Sequence, residues 1–400
     1  MVQALNRFSI FAVAANSANL LAPQLVALVA LKPGLFGVFS AIALIGSIFT
    51  ALAFALSIDP FLRAGRDLQQ KHYSSASLVY LFLSCLGGFA AGLFSLILSG
   101  PGTPWPTILA ISLYPATFVL WNAQRIMLVE MVGAALKSDL IGFFVILLGL
   151  IGTSIFGLTI AKICAVAAAS YGLMFLHALW RTRALWGAAS CGLWFKLMKL
   201  EIRSMAFDSA MGISANSLGP LMLMPILGVS SFGVYRAVGN LAAPLRSVVT
   251  PMRSQLGRIP VSRLHSRWGG VVQISLFSSI ALLVVAGLKA ASRYAPPEAT
   301  LVNVSSYAVV ASLVVALNAF WQIYLNRGRM LLPPRALFRV RVTTSVVAAV
   351  VPLLGALVAG LAGALYALLL STLFQSLAWW RADRSSSRLR VQTGTEAISP

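Results

Sequence analysis

Acidic residues are almost missing from this chain: Asp and Glu together number nine in 400 residues. No two of them are placed to share acid–base work near the outer end of the apolar runs, which argues against an enzyme of that kind. Histidine is rarer still, and His72, His177 and His265 are scattered in or beside loops. No His/Cys/Asp cluster has metal-ligand spacing and no Gly-rich phosphate loop occurs, so neither a metal nor a cofactor is expected. Cys85 and Cys164 lie inside apolar runs and Cys191 in a basic loop, which excludes a disulfide framework. Charge of either sign is scarce. Only 10% of residues are charged, against about 25% in a soluble domain, too few to clothe a surface facing water.

What fills the chain instead is apolar: 59% of residues are hydrophobic. Runs such as "FSIFAVAANSANLLAPQLVALVAL" and "TTSVVAAVVPLLGALVAGL" approach or exceed the roughly 20 residues that cross a bilayer as a helix. The chain reads as an all-α, multi-pass integral membrane protein. Its N-terminal run lacks a small-residue cleavage site and reads as a first spanning helix rather than a signal peptide. The formal charge of +21 would suggest nucleic acid in a soluble protein. In a membrane protein Lys and Arg gather in cytoplasmic loops, so no nucleic-acid partner is expected.

Twelve apolar segments are predicted, at 8–31, 36–58, 76–99, 106–125, 139–157, 159–180, 204–228, 232–252, 269–289, 302–325, 342–360 and 362–380. With both termini cytoplasmic, 24 of the 30 basic residues fall inside and only Lys32, Lys162, Lys289 and Arg293 outside. A wrong span count would scramble this bias. The expected organisation is a six-helix half over 1–180 and a cytoplasmic amphipathic linker over 181–203, where "LWFKLMKLEIR" alternates basic and bulky apolar residues. A second six-helix half over 204–380 and a disordered cytoplasmic tail over 381–400 complete it. The halves carry a repeat: Phe36-Gly37-Val38-Phe39 and Phe232-Gly233-Val234-Tyr235 stand 196 residues apart. Six helices per half would relate the halves by an axis along the membrane normal. Gly37 and Gly233 are expected in tight helix-hairpin turns.

The two remaining basic residues, Arg236 and Arg246, lie within the eighth segment. At 100° per residue, Arg236, Gly239, Asn240, Ala243, Arg246, Ser247 and Thr250 fall within about 120° of one another, giving one small, polar, cationic stripe. Pro244 leaves the carbonyl of Asn240 without its helical partner and marks a candidate hinge. Either the arginines face a cavity, or each snorkels to its nearer interface, about 15 Å apart along the axis. Other segments carry polar faces. These hold Asn16 and Asn19; Asp208, Gly212, Asn216 and Gly219; Asn318, Gln322 and Asn326; and Asn122, Gln124 and Arg125. Interhelical hydrogen bonding accounts for single amides, and a shared polar cavity accounts for four such faces together. Asp208, near the inner interface, is the one candidate for ion coupling.

Twelve helices in two halves resemble the multidrug/oligosaccharidyl-lipid/polysaccharide exporter superfamily. The nearest likeness is to its polysaccharide branch, the Wzx-type flippases of O-antigen and capsule repeat units. The stretches that carry it are "LFGVFSAIALIGSIFTALAFAL" and "ILGVSSFGVYRAVGNLAAPLRSVVTPMRSQL". The second includes the family's G.Y..a element as Gly233, Tyr235 and Ala237. Where such proteins often have an acidic residue in helix seven, this chain has Asn216. The resemblance implies a bacterial inner-membrane flippase that moves undecaprenyl-pyrophosphate-linked sugars outward by alternating access. Its expected partners are the anionic lipid-linked oligosaccharide, membrane lipids and polysaccharide polymerase or export proteins. On that reading the cavity is lined by Arg236, Arg246, Asn240, Asn16, Asn19, Asn216, Asn122, Asn318 and Gln322. The alternatives are a MATE-type multidrug antiporter, a peptidoglycan-precursor flippase, and a non-transport component of polysaccharide assembly. Few membrane carboxylates and many arginines suit a cationic cargo poorly.

Overall fold

A computed structural model describes residues 8–64, 66–100, 102–128, 131–155, 157–187, 190–243, 245 and 264–392. Helices account for nearly all of them, and no strand occurs among the described residues. This follows from the apolar composition, because a segment in lipid must satisfy its backbone polar groups within itself. Among the described residues, nine helical stretches are long and apolar enough to cross a membrane, and Ala14–Ala30 forms a shorter apolar helix. The chain is a multi-pass membrane protein.

Contacts divide the chain into two units, Met1–Leu31 with Val38–Ile213, and Lys32–Gly37 with Ser214–Pro400. The first contains α1 (Phe8–Ala30), most of α2 (Pro33–Ala53) and α3 (Asp59–Arg63). It continues through α4 (Arg66–Ser99), α5 (Trp105–Met127), α6 (Val132–Ile155) and α7 (Ile160–Thr182). A turn of π-helix, Phe54–Ile58, joins α2 to α3. In this unit α5 packs on α4 and α7, and α6 on α1 and α7. The linker is more than a tether. Short α8 (Cys191–Leu197) buries Trp194 completely, and its indole nitrogen donates to the Leu56 carbonyl at 2.9 Å. Helix α9 (Lys199–Ile213) follows it.

The second unit contains a π turn, Ser214–Leu218, then α10 (Gly219–Asn240), α11 (Arg267–Ser292) and α12 (Thr300–Ser306). Helices α13 (Ala308–Leu331) and α14 (Pro334–Gln392) complete it. Two of these helices are broken. Gly228 has φ 75° inside α10, and in α14 Gly360 has φ 56° beside a non-helical Ala359. Left-handed φ is cheap only for glycine, so both breaks are written locally. They coincide with the predicted segment ends at 228 and 360.

The structure corrects the role expected for the repeated glycines. Neither lies in a turn. A Cβ on Gly37 would meet the Val229 carbonyl oxygen, and one on Gly233 would meet the Pro33 carbonyl oxygen. A Cβ on Gly34 would come within 3.1 Å of the Ser230 hydroxyl. Each partner pair is related by the same 196-residue spacing, so the first turn of α2 crosses α10 through equivalent residues. Only small residues let helix backbones approach this closely. Phe36 and Phe232 are buried beside the crossing.

The tail differs as well. The helix expected to end at 380 runs on to Gln392, with Asp383 buried at 1% exposure. An aspartate beyond the end of the last predicted span is held there by partners that the sequence does not pair with it.

Candidate functional site

In the first unit, the polar faces of α1, α5, α6 and α7 converge on a buried ion pair. Arg125, near the end of α5, directs its Nε to both carboxylate oxygens of Asp139 at 3.2 Å. An Nη nitrogen lies 3.1 Å from Oδ2. Asp139, two turns into α6, is fully buried, and Arg125 keeps 20% of its side chain exposed. A charge in this setting is tolerated only because its partner is near. Asn19 donates to the backbone carbonyl of Asp139 at 2.8 Å and toward Met174 Sδ at 3.4 Å. The Tyr171 hydroxyl donates in turn to the Asn19 carbonyl at 3.0 Å. With no exposed surface, Asn19 ties three helices together and offers nothing to a ligand in this conformation.

Asn16 accepts from the Trp121 indole at 3.4 Å and is half-buried. Asn122 turns back to its own helix, donating to the Phe118 carbonyl at 2.8 Å. Gln124 sits in a closed network. It accepts from the Tyr80 hydroxyl at 2.5 Å and donates to the Tyr73 hydroxyl at 2.7 Å. The structure therefore brings Asn16 and Asn19 to one region and leaves Asn122 facing its own backbone.

In the second unit, Arg236 donates to the Asn240 side chain at 3.0 Å. The two are one turn apart and both half-buried, as the helical phase of the sequence predicts. Arg246 and Pro244 lie outside the described residues, as does the side chain of Asp208. Asn216 sits on the π turn at 214–218 and is exposed. Such insertions often mark functional positions because they redirect side chains. On α13, Asn318 is half-buried and Gln322 is buried, and the Gln322 carbonyl accepts from Asn326 at 2.9 Å.

A second buried charge cluster was not foreseen. Asp383 of α14 pairs with Arg327 of α13 at 3.3 Å and with His265, just before α11, at 3.0 Å. Arg327 has no exposed surface. The only sequence signal was indirect. Each half has a tryptophan–amide pair near the end of a helix, Trp121-Asn122 and Trp321-Gln322, followed by an arginine. In both units that arginine meets a buried aspartate from a later helix. Beside the second cluster lies a cavity of about 510 Å³ between α11, α13 and the end of α14. Gln273 crosses its floor, donating to the Leu264 carbonyl and accepting from the Tyr324 hydroxyl, each at 2.9 Å. Among the described residues no His/Cys/Asp/Glu group could hold a metal.

No protein-family model and no curated sequence matches this chain. Its fold, however, is shared with solved membrane transporters. The lipid II flippase MurJ in an inward closed conformation is 14% identical, with 98% of this chain and 93% of that one covered at a TM-score of 0.59. An inward-facing multidrug resistance MATE family transporter of the MOP superfamily is 12% identical, with 97% and 99% covered at 0.63. A MATE protein in the bent conformation is 12% identical, with 98% and 96% covered at 0.55. At these identities the likeness is one of fold.

Proposed function

We propose that this chain is a flippase-type transporter that moves an anionic, lipid-linked oligosaccharide across the bacterial inner membrane by alternating access. The observation that carries the reading is the Arg236–Asn240 pair, a half-buried guanidinium and amide within an apolar helix. A guanidinium matches a pyrophosphate in charge and geometry, and an amide suits sugar hydroxyls. Arg246 lies on the same helical phase and is assigned to the same stripe, with Pro244 as the hinge. Asn216, Asn318 and Gln322, in the same unit as Arg236, are proposed to contact sugars. The breaks at Gly228 and Gly360, added to the nine long stretches and the shorter first helix, support twelve crossings, and the Lys/Arg bias of the loops is the ground for putting both termini in the cytoplasm. The fold common to a lipid II flippase and the MATE transporters makes a transporter the natural class.

A MATE-type antiporter for cationic compounds is the competing reading, since it would share the fold equally well. Against it, Asp139 and Asp383 are buried but paired with arginine, which leaves them ill-suited to a cationic cargo. The deciding experiment is reconstitution in liposomes with a fluorescent undecaprenyl-pyrophosphate-linked oligosaccharide. Protein-dependent appearance of label on the far leaflet, lost in Arg236→Ala, supports the reading. Transport of a cationic dye with no movement of the lipid-linked sugar overturns it.

A further inference from the structure

The groove between α11, α13 and the end of α14 has a shape that the transport reading does not use. Its walls are apolar and aromatic: Ile274, Phe277, Leu313, Leu317 and Phe320. One end is polar, with Ser266, His265, Trp380 and Arg384. From Ser266 to Ala281 the α11 side of the groove spans fifteen residues, or about 22 Å at 1.5 Å each. One bilayer leaflet including its headgroups is about 20–22 Å deep. The groove's whole empty space, about 1140 Å³, spread over that length gives a mean cross-section of about 50 Å². That has room for an extended hydrocarbon chain but is narrower than a helix, which at about 10 Å across needs about 80 Å². Helix α11 buries little of itself, with Leu288 its one fully buried residue, so the groove opens beside a lipid-facing helix.

Charge selects the occupant. Arg384 is exposed and its guanidinium lies 5.4 Å from the Trp380 ring, which holds a cation at the mouth. Arg267 opens α11 and Arg381 stands nearby on α14. The carboxylate at this end, Asp383, is 1% exposed and already shared between His265 and Arg327. An exposed cationic mouth above an apolar slot one leaflet deep fits a membrane lipid with a phosphate headgroup. A long polyprenyl tail would exceed the slot.

We propose that this groove binds one anionic glycerophospholipid. One acyl chain lies along Phe277 and Phe320, and the phosphate sits against Arg384 and Ser266. The site is separate from the Arg236 stripe and does not depend on what is transported. By the positive-charge bias of the chain, it serves the cytoplasmic leaflet.

The test uses the full-length protein, purified and delipidated in detergent. It is titrated with phosphatidylglycerol, phosphatidylcholine, undecaprenyl phosphate or inorganic phosphate while bound lipid is counted by native mass spectrometry. A phosphatidylglycerol with a photoreactive group on its acyl chain locates the site. One phosphatidylglycerol per chain is expected, with label on α11 or α13 between 274 and 281 or 313 and 320. Arg384→Gln should weaken it roughly five-fold, the effect of losing one basic contact to an anionic headgroup, and Arg384→Lys should restore it. Ala281→Phe, which fills the slot without touching the mouth, should abolish labelling there. Equal retention of phosphatidylcholine, label outside the groove, displacement by inorganic phosphate, or preferential capture of undecaprenyl phosphate would each overturn the assignment.

Discussion

Replacing Gly37 or Gly233 by alanine tests whether α2 and α10 cross as closely as the structure requires. Alanine in a helix interior normally gains about 0.5–1 kcal/mol over glycine, because less backbone freedom is lost on folding. At these two positions the new methyl group would meet a carbonyl oxygen, of Val229 in one case and Pro33 in the other. A carbonyl belongs to its helix and cannot rotate away, so the helices must part. Overpacking of this kind costs about 1–3 kcal/mol, and a net loss of about 1–2 kcal/mol is expected for each variant. Because both methyls push the same helices apart, the double variant should lose less than the sum, with a coupling of about 0.5–1 kcal/mol. Gly152 and Gly287 are the controls, since a Cβ there meets nothing within 4 Å. The assay is the midpoint of thermal or detergent denaturation of purified protein, followed by tryptophan fluorescence. If Gly37→Ala and Gly233→Ala stabilise the protein as the controls do, the close crossing does not exist.

Three further outcomes follow from the site geometry. Asp139→Ala leaves Arg125 without its carboxylate and should cost about 3–5 kcal/mol. The double change to Met at both positions should recover most of that loss in the same denaturation assay. Arg236→Ala should reduce movement of lipid-linked oligosaccharide at least ten-fold, while loss of its hydrogen bond to Asn240 costs only about 0.5–1.5 kcal/mol of stability. Arg236→Lys should fall between, because lysine keeps the charge but loses the planar fork. Gly328→Val should destabilise the second unit, since a Cβ there would press within 2.6 Å of the fully buried Trp379 ring. Restoration by Trp379→Leu in the double variant checks that the clash is with that ring.

Sequence and structure agree most where the signal is local. Spanning helices follow from apolar length, and the breaks at Gly228 and Gly360 follow from residues that alone tolerate left-handed φ. The Arg236–Asn240 contact is also local, being set by the turn of one helix. Asp139 and Asp383 escaped notice for the opposite reason. Each looks like an interfacial charge at the edge of an apolar run, and only a partner arginine from another helix makes burial tolerable.

The sequence by itself therefore determined that the chain lives in a membrane, where two of its long helices break, and that Arg236 and Asn240 share a face of α10. All of these depend on residues within one turn or one bilayer thickness of each other. The tertiary structure decided which amides are buried and which keep exposed surface. It placed Asn19 in a buried knot, left Asn216 exposed on its π turn, and made a close crossing of two glycines that read as turns. It also made the lipid-sized slot between α11, α13 and α14. Those outcomes depend on side chains far apart in sequence packing at van der Waals distance, which no helical period encodes.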